Sequence, residues 1–173
     1  QNGINVEFMK TQHLVPVVAH EFARVANEFP MSFVKNNESG TFQAVAMFGL
    51  EPGENLFVED GKWTAAFAPM ASTRYPLGLV KHPEQDQYGI VIDEASSLVG
   101  EEEGNALFEN GEETDYLKRR KESLVSFIEF SQVTEAFTKY LADKELLVAQ
   151  TLTVDIKGEK KDINGIYLID EKK

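Results

Sequence analysis

The sequence predicts an α+β domain with a mostly antiparallel sheet, one helix near the N-terminus and one long amphipathic helix near the C-terminus. Three observations lead to this class. Apolar residues repeat at helical spacing in residues 16–28 and again in residues 114–142. Short apolar runs separated by turn-forming residues lie between and after these segments. Of the 173 residues, 42% are hydrophobic, which is sufficient for one domain with a buried core.

The first predicted helix covers residues 16–28. Its repeating apolar residues are Val18, Phe22, Val25 and Phe29. Proline is tolerated in the first turn of a helix, as at Pro16, and ends a helix that reaches it, as at Pro30. Residues 1–15 are mixed in character, so we expect a loose or extended segment there.

Short strands are predicted for the part of the chain that follows the first helix. They cover residues 31–35, 41–48, 56–59, 63–66, 77–81 and 88–93. The first two form a hairpin around NNESG, EDGK joins the third to the fourth, and PEQDQ joins the fifth to the sixth. Residues 41–48 are apolar almost throughout, so we expect them in the interior of the sheet.

The acidic segment, residues 93–113, is predicted to be a long surface loop. Its expected apolar anchors are Leu98, Leu107 and Phe108. A calcium-binding EF-hand loop requires acidic residues at its first, third and fifth positions. Counting from Asp93, the third and fifth positions are Ala95 and Ser97, so the pattern predicts a solvated loop and no calcium site.

The second predicted helix covers residues 114–142, and Thr114 or Asp115 is expected to cap it. Its apolar stripe consists of Leu117, Leu124, Phe127, Ile128, Phe137 and Leu141. The basic cluster KRRK, residues 118–121, fans around the helix axis with acids on both sides, so we expect it to neutralise local charge. LLVAQTLTVDIKG and INGIYLID are predicted as two final strands joined by GEKKD.

The formal charge of −12 at pH 7 narrows the classes of partner. Nucleic-acid binding requires concentrated Lys and Arg, and anionic membranes repel an acidic surface, so neither partner is expected. The absence of cysteine excludes disulfides, thiolate metal sites and cysteine nucleophiles. No run of residues approaches the length of a membrane span, so no direct membrane insertion is expected.

No catalytic or metal-binding residues are predicted, and no cofactor is expected. The three histidines, His13, His20 and His82, lack the spacing of metal ligands, and the chain has no phosphate-binding loop or nucleophile elbow. We expect His20 to be partly exposed on the first helix and His82 to face solvent in a turn. With 29 acidic residues, pairs of carboxylates carry no weight for acid–base chemistry.

The segment NLFVEDGKWTAAFAPMASTRYPLGLV, residues 55–80, contains the predicted binding site. The predicted binding residues are Asn55, Trp63, Arg74 and Tyr75. Trp63 is the only tryptophan, and Arg74 is expected to stack on it or on Tyr75. An arginine beside aromatic residues is typical of interface hot spots, and also of an aromatic core with one buried arginine. Both interpretations stay open at this point.

An ordered set of motifs resembles the SapC family of bacterial proteins over residues 14–171. The motifs are VPVVAHEFARVANEFPMSFVK, GLEPGENLFVEDGKW, AFAP, STRYPLGL, IDEASSLVGEEEGNALFENGEET and NGIYLIDE. Thr73 and Leu77 replace an arginine and a phenylalanine of the frequent family motif RRYPF, and Glu145 replaces a frequent glycine. The resemblance implies a single domain over residues 1–173, short or truncated at its C-terminus. It supplies no catalytic residue set.

The resemblance also implies a functional setting. The family name is linked to bacterial surface-layer proteins, and its genes are commonly found near outer-membrane TonB-dependent receptors and flavin-dependent halogenase-like enzymes. The first hypothesis is therefore a non-catalytic binding or assembly protein of a surface-layer or outer-membrane uptake system. It would recognise a protein or peptide through the aromatic–arginine surface, with the acidic segment alongside.

Two further hypotheses remain from the sequence. One is an accessory enzyme or enzyme subunit that acts on a small molecule with a halogenase- or oxygenase-type partner. The other is a structural subunit of a surface layer. The sequence leaves the compartment open between the cytoplasm and the cell envelope, and it does not determine the oligomeric state.

Overall fold

The structure, a computed structural model, describes residues 4–82, 84, 87–156 and 158–172. Helices and antiparallel strands both contribute, which confirms the predicted α+β class. In chain order the elements are α1 (Val6–Met9), β1 (Leu14–Pro16), α2 (Phe22–Glu28), β2 (Met31–Lys35), β3 (Phe42–Met47), β4 (Val58–Glu59), β5 (Lys62–Trp63), α3 (Met70–Thr73), β6 (Leu77–Lys81), β7 (Tyr88–Ile92), β8 (Phe108–Glu109), β9 (Glu112–Glu113), α4 (Asp115–Asp143), β10 (Leu147–Ile156) and β11 (Glu159–Ile169).

A five-stranded antiparallel sheet in the order β1-β3-β2-β11-β10 forms the centre of the domain. β3 lies inside this sheet, between β1 and β2, as its apolar sequence predicts. The β2–β3 turn is closed by Asn36, whose Oδ1 accepts hydrogen bonds from the amides of Glu38 and Ser39 at 2.8 and 3.1 Å. The short hairpins β4–β5, β6–β7 and β8–β9 lie outside the sheet.

β10 and β11 form a long hairpin of which only one end belongs to the sheet. β11 pairs with β2 at Ile166 and Tyr167, whereas the β10–β11 ladder continues to the pair Ile156 and Glu159. The segment GEKKD was predicted as the connecting turn, but it is paired within β11 from Glu159 onwards. Lys157, in the actual connection, lies outside the described residues.

The first helix begins later than the sequence predicts. Pro16 is the last residue of β1 and lies opposite Val45 of β3, because pairing with a distant strand overrides the local helical repeat. A 3-10 turn, Ala19–Glu21, then leads into α2, which ends at Glu28 as predicted. A proline is compatible with β1 because this strand lies at the edge of the sheet.

Residues 1–15 were predicted to be loose or extended, but they contain the short helix α1. Asn5 caps this helix, since its Oδ1 accepts a hydrogen bond from the Phe8 amide at 3.0 Å. Met9 at the end of α1 is fully buried. A helix of 4 residues is too short to produce a recognisable periodic pattern.

The remaining predicted strands are largely present. β2 and β6 have the predicted bounds, and β7 ends one residue early, at Ile92. β4 and β5 have 2 residues each and are shorter than predicted. Pro83, Gln85 and Asp86 of the predicted turn PEQDQ lie outside the described residues.

The acidic segment is a surface loop, as predicted, apart from the small β8–β9 hairpin. Two of the predicted anchors are wrong, because Leu98 and Phe108 are 52% and 60% exposed, whereas Leu107 is half-buried. The buried residue is Ser96, whose amide donates to the Asp93 carbonyl at 3.1 Å. Local hydrogen bonding, and not hydrophobicity, therefore fixes the start of this segment.

Helix α4 begins and ends close to the predicted residues. Thr114 caps it, since its Oγ1 accepts a hydrogen bond from the Leu117 amide at 3.3 Å. The buried face consists of Leu117, Leu124, Thr134, Thr138 and Leu141, whereas Phe137 of the predicted stripe is 37% exposed. Two threonines thus take the central buried positions, where Thr134 Oγ1 accepts a hydrogen bond from the Ala19 amide at 2.8 Å.

The hydrophobic core lies where α1 and α2 meet the sheet. It includes Met9, Val25, Phe29, Phe33 and Phe48, each at most 8% exposed. None of the helices in the described part of the chain combines the length and the apolar character that a membrane-crossing helix needs.

Candidate functional site

The four predicted binding residues do not form one surface. Asn55 is buried, with 8% of its surface exposed. Its Nδ2 donates to the Met9 carbonyl at 2.8 Å, and its Oδ1 accepts from the Phe57 amide at 2.9 Å. Both ends of the Asn55 amide are therefore used inside the protein, where they join α1 to the segment that leads into β4.

Trp63 packs at the margin of the aromatic core. Its ring centroid lies 5.2 Å from that of Phe48, 6.1 Å from that of Phe29 and 6.2 Å from that of Phe57. Its Nε1 donates a hydrogen bond to the Phe67 carbonyl at 3.0 Å. Trp63 is half-buried, and its polar atom is satisfied by the backbone of its own segment.

Tyr75 contacts α1 and the start of the acidic segment. Its ring stacks on Phe8, with centroids 4.3 Å apart and an angle of 4° between the planes. Its hydroxyl donates to Oδ2 of Asp93 at 2.8 Å. The expected stacking of Arg74 on Tyr75 or Trp63 is therefore wrong, because both of these rings have other partners.

Arg74 instead stacks on α4. Its guanidinium carbon lies 4.2 Å from the centre of the Phe127 ring. The side chain is half-buried, and this burial lowers the pKa of the guanidinium. Within the described residues, the guanidinium has neither a hydrogen bond nor an ion pair. Stacking on an aromatic face leaves the N–H edge of an arginine available for a carboxylate or phosphate.

Arg120 holds the backbone at Arg74 in place. Its Nη2 donates to the carbonyls of Thr73 and Arg74, both at 2.9 Å. Arg120 and Phe127 are two turns apart on α4, so one face of this helix holds both the backbone and the side chain of Arg74. The Nε of Arg120 is buried without a partner among the described residues.

Glu21 binds the backbone at the start of α3, the helix that precedes Arg74. Its Oε1 accepts from the Val18 amide at 3.1 Å, and its Oε2 accepts from the Met70 amide at 2.9 Å. Burial raises the pKa of the Glu21 carboxyl, although both hydrogen bonds and the nearby Arg24 act in the opposite direction. The carboxylate thus ties α3, which precedes Arg74, to the 3-10 turn.

An open cleft of about 750 Å³ lies between α4 and the β3 side of the sheet, with Arg74 and Phe127 in its wall. The sheet side is lined by Val17, Val18 and residues 41–44, which include Phe42. The helix side presents residues at helical spacing, namely Phe127, Ser131, Thr134 and Thr138. The volume lies within the range of about 300–1,000 Å³ that is typical of ligand sites.

Among the described lining residues, Arg74 is the cation for which the structure shows no ion pair. Lys139 forms an ion pair with Asp143 at 2.8 Å. Glu135 is exposed at the rim. The described lining residues include no histidine, and the hydroxyls of Thr134 and Thr138 donate to helix carbonyls. The arrangement suits recognition of an anion.

The other charged candidates have local roles. Lys118 pairs with Asp115 at 3.8 Å and Lys121 with Glu113 at 2.7 Å, as expected for local charge neutralisation. Arg120 of the same cluster differs, because it binds the backbone near Arg74. No group of three or more His, Asp or Glu residues in the described ranges is arranged to hold a metal ion.

The histidines are not part of the cleft. His20 is exposed and stacks on Phe130 of α4, with ring centroids 4.2 Å apart. His82 is exposed after β6, as predicted. Sequence reasoning missed the contacts of Phe127, Arg120 and Glu21. Each of these contacts joins segments that are far apart in the chain, so no local pattern reports them.

Comparison with known proteins gives one family. The family model SapC matches residues 1–173, the whole chain. None of the curated proteins matches the chain. None of the solved structures matches it either.

Proposed function

The chain belongs to the SapC family, and we propose that it is a non-catalytic binding or assembly protein that recognises a protein or peptide. The observation that carries this proposal is the state of Arg74. Its guanidinium is half-buried in the wall of the cleft, stacked on Phe127 and without a polar partner among the described residues.

Without a bound partner, the half-buried guanidinium of Arg74 lowers the stability of the folded protein. Removing a cation from water without giving it a partner is unfavourable, and the aromatic face recovers only part of the loss. Arg120 and Glu21 hold the backbone on both sides of Arg74, so the side chain is presented on a fixed support. A preorganised, unpaired arginine beside an aromatic ring is a typical recognition point.

The proposed binding surface therefore differs in composition from the one inferred from sequence. Arg74 is its central contact and Phe127 is its aromatic wall. Tyr75 braces the same segment from the side of Phe8. Asn55 supports the surface from within the core through its contact with Met9, and Trp63 supports it from the margin of the core through its contact with Phe48.

The setting we propose is a bacterial surface-layer or outer-membrane uptake system. Family membership supports it, through the link between the family and surface-layer proteins. The formal charge of −12 favours a partner that is neutral or basic in most of its contact surface. Such a partner would offer one anionic group to Arg74 and complement the acidic surroundings elsewhere.

A pull-down from cell-envelope extract of the source bacterium tests this function. The full chain is compared with Arg74→Ala and with Arg119→Ala, which removes the same side chain from an exposed position outside the cleft. We expect one partner to be retained by the wild-type and Arg119→Ala proteins and lost by Arg74→Ala. Equal retention by all three proteins, with circular dichroism showing a folded Arg74→Ala variant, would remove the cleft from the proposal.

The second candidate is an accessory enzyme or enzyme subunit that acts on a small molecule with a halogenase- or oxygenase-type partner. The cleft volume supports it, since about 750 Å³ also suits a small ligand. Native mass spectrometry of protein purified from its own organism separates the two candidates. A bound small molecule at a fixed stoichiometry favours the enzyme, and its absence together with a captured protein partner favours the binding protein.

A further inference from the structure

The sheet edge inside the cleft is open beside Phe42. β1 runs along β3 from Met47 to Val45, and the Val17 amide adds one more hydrogen bond, to the Ala44 carbonyl at 3.0 Å. The chain then leaves the sheet at Ala19, whose amide donates to Oγ1 of Thr134 on α4. No described strand lies next to residues 41–43 on this side.

The backbone of Phe42 points toward this open edge. In an antiparallel ladder, successive residues direct their N–H and C=O groups to opposite neighbours. The Ala44 carbonyl and the Phe48 amide bond to residues of the β1 side, whereas the Met47 amide bonds to Pro30 on the β2 side. Phe42 is two residues from Ala44 and six from Phe48, so its backbone groups point to the same side as theirs. The N–H and C=O of Phe42 therefore face the cleft.

Arg74 lines the cleft on the side of β1. It directly follows α3, which contacts β1, and its guanidinium rests on Phe127. A peptide strand bound beside Phe42 would lie in line with β1. Toward Ala44, the next position along β3 is already occupied by Val17 and Val18. A bound chain must therefore end or turn away at that point, next to a cation.

We propose that the cleft binds the C-terminal tail of a partner protein as a short added strand, with the terminal carboxylate on Arg74 and backbone hydrogen bonds to Phe42. This inference rests on the proposed function and names its ligand. A tail that enters at the β2–β3 turn and ends at Arg74 runs parallel to β3. Strand addition supplies main-chain bonds, and a terminal carboxylate is a recognised anchor in such modes.

The positive charge of Arg74 favours binding of a partner's C-terminus over binding of its N-terminus. An N-terminal ammonium would meet the Arg74 cation, whereas a carboxylate forms a charge-assisted pair with it. The net charge of −12 opposes a tail with many acidic residues. The expected ligand is thus a tail with neutral or basic residues, apolar side chains toward Phe127 and Val18, and a free terminal carboxylate.

The test uses synthetic hexapeptides with randomised neutral and basic residues, as free acids and as C-terminal amides. Peptides that comigrate with the full chain in gel filtration are identified by mass spectrometry, and their affinities are measured by fluorescence polarisation. We expect free acids to bind and the matching amides to bind at least tenfold more weakly. The Arg74→Ala variant is expected to bind the free-acid peptides about tenfold or more weakly than wild type. The Arg119→Ala variant is expected to bind them with unchanged affinity.

Hydrogen exchange tests the strand separately. A bound free acid is expected to slow exchange of the Phe42 amide, and unchanged exchange there would overturn strand addition. Acids and amides that bind equally well would overturn the role of the terminal carboxylate while leaving peptide recognition in place. No bound peptide from either mixture would overturn both this inference and peptide recognition. The comparison of acid with amide uses wild-type protein, so it stays decisive if Arg74→Ala fails to fold.

Discussion

Replacing Asn55 with alanine tests whether this residue supports the core or contacts a partner. Its side chain makes two hydrogen bonds, from Nδ2 to the Met9 carbonyl and from the Phe57 amide to Oδ1. The alanine variant leaves both backbone groups without these partners. We therefore expect a loss of stability, with unchanged affinity for ligands of the cleft once the remaining folded protein is accounted for.

The magnitude follows from the two hydrogen bonds. One hydrogen bond contributes about 1 kcal/mol, and a buried polar group left without a partner costs about 1–3 kcal/mol. Met9 is 0% exposed and Phe57 packs against the core, so water cannot replace both bonds. We expect the free energy of unfolding to fall by about 3 kcal/mol. For a domain of this size, that corresponds to a decrease in Tm of about 6–12 °C.

Urea unfolding measures this change. The midpoint should shift to lower urea with the slope unchanged, as for a loss of stability without a change in exposed surface. Asn105→Ala is the matched control, because Asn105 is exposed in the acidic segment and should change stability by less than about 0.5 kcal/mol. An Asn55→Ala protein with wild-type stability and lost ligand binding would refute the placement of Asn55 in the core.

Three further changes test the support of the site. Gly49→Ala should destabilise the fold by about 2 kcal/mol or more in urea unfolding, because an added Cβ would lie 2.4 Å from the backbone oxygen of Glu54; a neutral effect would mean that this loop yields. Thr134→Val should cost about 1–3 kcal/mol, because the Ala19 amide loses its acceptor; Ser131→Ala, in the same helix, is the control. Burial raises the pKa of Glu21, so the stability of wild type relative to Glu21→Gln should fall as pH rises above about 4. A difference between these two proteins that stays constant as pH rises above about 4 would contradict the raised pKa.

Local patterns predicted those elements whose signals lie within the element itself. β2 and β6 have the predicted bounds because apolar runs end at clear turn residues or prolines. Helix α4 carries a long apolar repeat and a capping threonine at its start. Helix α2 is the contrast, because Pro16 and Val17 continue the helical pattern and yet bond to β3. The competing strand lies elsewhere in the chain, so the pattern could not reveal it.

The site depended even more on distant contacts. The segment that contains Arg74 and Tyr75 was identified from sequence, but the partners of these residues, Phe127 and Phe8, lie on separate helices. Asn55 was predicted as a binding residue because it lies in the same segment as Trp63 and Arg74, whereas its amide joins two backbone segments inside the core. Composition identifies the residue types of a recognition surface. Only the packing of α1, α3 and α4 decides which of them face a cleft.

The order of the strands in the central sheet has a consequence for synthesis. β1, β2 and β3 are all made early, and the β2–β3 hairpin can pair as soon as it leaves the ribosome. β2, however, takes β11 as its second neighbour, and β11 is the last strand of the described chain. While the small hairpins and α4 are translated, the side of β2 that later pairs with β11 is thus an open edge that can associate with other nascent chains. The formal charge of −12, besides its effect on partners, provides repulsion between such chains until β11 closes the sheet.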